Sequence, residues 1–139
     1  MVDQNCAYCM EGELVAKFGI KICELETSKV YLFKEQSHLG RCIVAHKKHV
    51  GDMNELTAEE RAAYFEDVAR VARAIMKAFN PDKVNYGAYG DTGHHLHFHL
   101  CPKYKDEYEW GGVFLMNPDK KYLTDAEYAE MIEKIKANL

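Results

Sequence analysis

Residues 18–25 and 29–33 are apolar-rich runs of strand length. Glu26-Thr27-Ser28 between them reads as a hairpin connection. Residues 41–45, entered through Gly40, give a third strand. The pattern then changes. Thr57-x-x-Glu60 is a capping box, and Ala62, Phe65, Val68, Ala69, Ala72, Ile75, Met76 and Phe79 recur at three- and four-residue steps. They form the stripe of a long helix that Asn80-Pro81 ends. Residues 83–89 return to a strand pattern, Gly90-Asp91-Thr92-Gly93 turns the chain, and residues 94–101 make a fifth strand stopped by Pro102. A second helix starts at Thr124, again with a capping box (to Glu127), and turns Tyr128, Met131, Ile132 and Ile135 inward. Residues 103–117 follow neither pattern. The predicted fold class is α+β: an antiparallel meander of about five strands with one long helix packed on it and a C-terminal helix. No repeat, low-complexity stretch or linker interrupts residues 1–139, which are expected to form one domain.

Composition narrows the functional classes. Hydrophobic residues make up 47% and charged residues 29% of the chain, and the net charge is −4, which supplies no general attraction to nucleic acid. No apolar run approaches the roughly 20 residues of a membrane span, and Met1-Val2-Asp3-Gln4-Asn5 lacks the basic and apolar regions of a signal peptide. A cytoplasmic protein is expected. Five cysteines are an odd number for a disulfide framework. Cys23, Cys42 and Cys101 lie in strand-like surroundings as small buried residues. Cys6 and Cys9 are spaced as half of a tetrahedral metal site; a redox pair would prefer a helix start in a βαβ setting that is absent here.

The chemistry concentrates in His94-His95-Leu96-His97-Phe98-His99. On a strand His95, His97 and His99 share one face, and Leu96, Phe98 and Leu100 share the other. Three imidazoles on an inner face require partners or a task, because buried polar groups must be satisfied. Two tasks fit: a metal site built on His-x-His, or a covalent histidine nucleophile flanked by proton donors.

The run His95-Leu96-His97-Phe98-His99-Leu100-Cys101 resembles the signature of the histidine-triad (HIT) family. Around it stand, in the family's order, Cys6-x-x-Cys9, Lys47-Lys48-His49-Val50 after a strand, the long helix, Asn85-Tyr86-Gly87 and the glycine turn. The likeness extends from Cys6 to Pro102. It implies an α+β fold, usually homodimeric, and an activity of nucleotide hydrolase or nucleotidyl transferase on nucleoside phosphoramidates or dinucleotide polyphosphates. By the same resemblance His97 attacks the α-phosphorus to form a nucleotidyl-histidine, and His99 donates hydrogen bonds to the reacting group. Asn85 contacts phosphate, Asp91 or Thr92 assists the leaving group, and the amides of residues 90–93 help hold phosphate oxygens. Zinc-bearing members imply one structural Zn²⁺ on Cys6, Cys9, His49 and His95, with His46 the rival to His49; His94 points to the opposite strand face. A nucleotide-binding module with little catalysis, or a metal-dependent enzyme using the histidine row as ligands, are the alternative readings.

Three positions depart from the family's pattern. Arg41 stands where many HIT hydrolases carry a fourth histidine; it is able to bind phosphate bidentately but not to shuttle a proton. The acidic residue that grips ribose falls near Phe33, with Glu35 close but offset. The turn after Gly87 is about one residue shorter than in the best-known branch. Of the aromatic residues after the triad, Trp110, Tyr104, Tyr108 and Phe114 are expected to pack rather than to stack on a base; Lys103 offers phosphate steering, and Tyr86 and Tyr89 flank the pocket.

Overall fold

The computed structural model describes residues 3–139; Met1 and Val2 of the N-terminal segment lie outside the described residues. Two short helices, α1 (Ala7–Met10) and α2 (Gly12–Ala16), precede the antiparallel strands β1 (Gly19–Glu24), β2 (Ser28–Phe33) and β3 (Cys42–His46). The long helix α3 (Ala58–Phe79) leads to β4 (Lys83–Gly87) and β5 (His97–Lys103), and α4 (Asp125–Ala137) closes the chain. Both predicted capping boxes are present: Thr57 and Thr124 each accept from the third helical amide, while Glu60 and Glu127 reach back to the cap amides. The α+β class is as the periodicity indicates.

The sheet is a meander only over its first three strands. Its order is β1-β2-β3-β5-β4, because α3 carries the chain across the sheet and β5 then inserts between β3 and β4. That insertion places the histidine strand in the interior of the sheet, paired with β3 on one side and β4 on the other. Nor does Pro102 stop β5, which runs on to Lys103. The ladder with β3 has ended by then, at Leu100, while Lys103 still accepts from the Asp82 amide on the β4 side. The missing N–H of Pro102 therefore faces a side that has no acceptor to serve. The strand begins at His97 rather than His94, and β4 stops at Gly87.

Alternation gives the sheet two unlike faces. Val30, Leu32, Cys42, Val44 and Leu100 pack with α3 and α4 into the main core. Tyr31, Phe33, Ile43 and Ala45 face the other way and pack with Tyr8 and Val15 of the N-terminal helices. The core-facing stripe of α3 is rotated from the expected one. Val68, Ala72 and Ile75 of the predicted stripe are buried, together with Tyr64, Asp67, Val71 and Ala74, whereas Phe65 and Met76 are exposed. The reason is Asp67. Its carboxylate accepts from the Thr27 amide (2.9 Å), Thr27 Oγ1 (2.7 Å) and Ser28 Oγ (2.8 Å), so a fully partnered polar side chain occupies the inner face and pins the β1–β2 turn to the helix. Among the described residues, no helix is long and apolar enough to cross a membrane.

Candidate active site

The pairing of β3 with β5 puts Ile43 opposite His99 and Ala45 opposite His97, so both imidazoles project from the face away from α3. They lie in the wall of a cavity of about 850 Å³ that also takes in Tyr8, Phe18, Phe33, Phe114 and the 91–95 turn. His97 is 8% exposed and His99 3%. The His97 ring packs on Tyr8 (centroids 4.9 Å apart) and edge-on to His99 (5.4 Å). Its Nδ1–H donates to the main-chain carbonyl of His95 at 2.6 Å. A carbonyl only accepts, so the proton sits on Nδ1 and the lone pair on Nε2. Burial pushes the His97 imidazole below its ordinary value, which keeps the ring neutral and nucleophilic near pH 7. Burial, reinforced by the Arg41 charge and by His97, pushes His99 down to about 3.

His95 is turned away from this pair. Its Nε2–H donates to the His46 carbonyl at 2.6 Å, leaving Nδ1 as an acceptor beside the thiols. That nitrogen lies 3.3 Å from Cys6 Sγ, 3.6 Å from Cys9 Sγ and 3.1 Å from His49 Nδ1; Cys9 Sγ is 3.3 Å from His49 Nδ1. The four donor atoms all fall within 4.8 Å of one another. Ligand bonds of roughly 2.0–2.3 Å in a tetrahedron separate donor pairs by about 3.3–3.8 Å, so this set is spaced to hold a zinc-sized ion. Burial raises the Cys6 thiol, and a thiolate at that position needs a cation beside it. His46 is excluded from the set: its ring packs on Tyr64 on the helix side of the sheet, and only its carbonyl takes part. His94 is exposed, its ring 6.3 Å from that of His49. The histidine row is thus divided, with His95 serving the sulfur cluster and His97 and His99 the cavity.

The remaining sequence-predicted residues fare differently. Asp91 and Thr92 lie exposed at the cavity mouth. Asn85 does not reach the cavity; it lines a separate shallow groove with Tyr86 and Val113, behind Tyr89 and Phe114. Arg41 does not reach it either. It is fully buried, which keeps it from phosphate; its Nη1 and Nη2 donate to the carbonyls of Leu115 (3.1 Å) and Met116 (2.9 Å) and to Nδ1 of His99 (3.1 Å), and Nε is buried without a partner. Lys103 is equally committed, to the carbonyls of Glu109 (2.7 Å) and Gly112 (2.8 Å). Tyr89 lines the cavity and Tyr86 does not. Phe114 packs, as expected, and is also a cavity wall.

Glu35, the acid nearest the expected ribose position, lies in the cavity wall but is already occupied. It accepts from Ser37 N and Oγ (2.9 and 2.7 Å) and from the amides of Lys120 and Lys121 (2.8 and 3.0 Å). Burial alone would raise its carboxyl; the Ser37 and Lys amide hydrogen bonds outweigh it and hold the group below the usual carboxylate range. Tyr8 and Phe18 are the functional neighbours that sequence reasoning missed. Tyr8 lies in a helix too short to leave a periodic signal and Phe18 in the turn just before β1, and the one available sign was the position of Tyr8 inside Cys6-x-x-Cys9.

Residues 21–106 match the HIT domain family. The chain is 28% identical over 116 residues to the adenosine 5'-monophosphoramidase hnt1 of Schizosaccharomyces pombe, covering 77% of this chain and 80% of that protein. The fold superimposes on a histidine-triad protein of Sinorhizobium meliloti with a TM-score of 0.84 at 22% identity, over 92% of this chain and 95% of the other. It also matches a Zn-bound histidine triad family protein of Mycobacterium smegmatis, with a TM-score of 0.68 at 22% identity, over 96% and 91% of the two chains.

Proposed function

The chain belongs to the HIT family, and from that premise we propose that it is a hydrolase or transferase acting at the α-phosphorus of a nucleotide, with His97 as covalent nucleophile. One observation carries the reading. The Nδ1–H of His97 is held by the His95 carbonyl, so the other ring nitrogen carries a free lone pair at the wall of a cavity large enough for a nucleotide. In the first step the His97 Nε2–P bond forms and the bond from phosphorus to the leaving group breaks, the leaving group taking the electron pair. His99 stabilises the charge that develops on the phosphoryl oxygens. In the second step water attacks phosphorus, the P–N bond breaks and its electron pair returns to Nε2, while the proton of water passes to the nucleotide product or to solvent. Asp91 and Thr92 at the mouth meet the leaving group, and the amides of the same turn meet phosphate oxygens.

We further propose that Cys6, Cys9, His49 and His95 bind one Zn²⁺, on the support of their donor types and spacing. The ion supplies a cross-link rather than a reactive group. It ties the N-terminal helices to the residue whose carbonyl orients His97. The protein is taken to be a homodimer in the cytoplasm, which light scattering and fractionation test directly.

The test of the activity is intact-protein mass after mixing with adenosine 5′-monophosphoramidate or a diadenosine polyphosphate. The parent chain gains the mass of a nucleotidyl group and turns the substrate over; His97→Gly does neither. Turnover by His97→Gly equal to that of the parent rules the reading out.

A further inference from the structure

Arg41 approaches His99 on the side away from the cavity. Nη2 donates to Nδ1 of His99 at 3.1 Å, and the guanidinium is held between the rings of Phe33 and Phe114, 4.2 and 4.9 Å from their centroids. Its bonds to the Leu115 and Met116 carbonyls anchor it from the other end. Arginine has no acceptor, so the nitrogen it donates to carries the lone pair, and the proton of neutral His99 lies on Nε2. A second proton on Nδ1 would meet a buried cation at hydrogen-bond distance. We propose that Arg41 is a positioning residue that fixes His99 as a neutral Nε2–H donor, and that the site therefore favours nucleotide substrates whose leaving group departs as an anion.

This inference rests on the reading of His97 as nucleophile and narrows its substrate class. In a phosphoric anhydride the His97–phosphorus bond forms, the bridging P–O bond breaks, and the released phosphate or nucleotide keeps the electron pair without needing a proton. In a phosphoramidate the amine leaves only as its nitrogen is protonated. A neutral imidazole N–H stabilises charge by hydrogen bonding but is far too weak an acid to hand its proton over, so that proton has to come from water. A histidine at position 41 would be able to pass a proton onward; an arginine is not. The same guanidinium grips the 115–116 main chain, which with Phe114 walls the cavity, so the donor and the wall are set together.

Nitrogen-15 spectra of the histidine rings read the tautomer without any turnover. The parent protein is expected to show His99 protonated on Nε2, Arg41→Met to show loss of that preference, and Arg41→Lys, which keeps a donor, to retain it. His99 protonated on Nδ1 in the parent overturns the proposal whether or not the variants fold, as does an unchanged ring in a folded Arg41→Met. In parallel, the parent is expected to cleave a diadenosine polyphosphate with kcat/KM about tenfold or more above that for adenosine 5′-monophosphoramidate. Arg41→His then narrows the ratio through kcat on the phosphoramidate, while a rise in KM from the released 115–116 wall falls on both substrates alike. A ratio at or below unity, or one that Arg41→His leaves unmoved, overturns the substrate preference. Inactivity on both substrates defeats the catalytic reading itself and the preference with it, while the spectra still decide the tautomer.

Discussion

The main-chain carbonyl of His95 lies 2.6 Å from Nδ1 of His97, while the ring of His95 points into the Cys6–Cys9–His49 cluster. One residue therefore faces both groups, its backbone toward the His97 ring and its side chain toward Cys6, Cys9 and His49. His97→Asn, which keeps approximate size but offers no nucleophilic ring nitrogen, is expected to lower kcat by about three orders of magnitude or more with the thermal midpoint little moved. Single-turnover kinetics and calorimetry on the same preparation check both halves.

Removing the proposed zinc acts through that shared residue. Cys9→Ser, or exhaustive chelation, is expected to lower stability by about 2–4 kcal/mol, a fall of roughly 5–15 °C in Tm for a chain of this size. Elemental analysis should find one zinc per chain in protein purified without chelators and less in the variant. Equal Tm with and without bound metal would contradict the structural role.

Gly87 pairs across the sheet with His99 and has a tightly filled space above it. A Cβ there would stand 2.7 Å from the Tyr89 ring and 2.8 Å from Phe114. Gly87→Ala is expected to destabilise by about 1–3 kcal/mol and to displace the Phe114 wall of the cavity. The readout is a rise in KM larger than the change in kcat.

Acid should weaken the fold through His99. Its imidazole is held down to about 3 in the folded protein against an ordinary 6.5. Between those values the unfolded chain binds a proton that the folded one refuses. Unfolding free energy is therefore fully retained above pH 6.5 and declines as pH falls, by up to about 1.4 kcal/mol per pH unit from this one group. Urea midpoints at pH 7.5 and 5.0 measure the slope, and His99→Asn is expected to flatten it.

Asp67 separates folding from chemistry. Asp67→Ala leaves two hydroxyls and an amide in the β1–β2 turn without their acceptor. The expected cost is about 2–4 kcal/mol, with kcat/KM per folded molecule unchanged, since α3 lies on the face away from the cavity. Denaturant titration beside activity at low temperature distinguishes the two effects.

Much of this was legible in the chain because local rules and the final packing agree. The capping boxes at Thr57 and Thr124 and the alternation of Leu96, Phe98 and Leu100 with the histidines behave in the structure as they do on paper. The Cys/His set could be assembled through the likeness to zinc-bearing members of the family, although its four residues span positions 6 to 95. Other features depended on tertiary context. A carboxylate on the core stripe of α3 concealed the true inner face, since nothing local tells that Asp67 will meet Thr27 and Ser28. The order of β4 and β5 is not written in hairpin spacing, because a long helix and a turn intervene. Arg41 and Glu35 looked available for ligand, and their partners come from the aperiodic residues 115–121, where no pattern gives a register.

The two faces of the sheet have a consequence for how such a protein diverges. Oily contacts with α3 and α4 hold the architecture through one set of alternate residues, and Phe33, Arg41, Ile43, His97 and His99 occupy the opposite register. Exchanges on the second set reach the cavity wall and the smaller cluster around Tyr8 while leaving the contacts with α3 and α4 in place. Change at position 41 therefore bears on His99 and the 115–116 wall rather than on the contacts that join the sheet to α3 and α4.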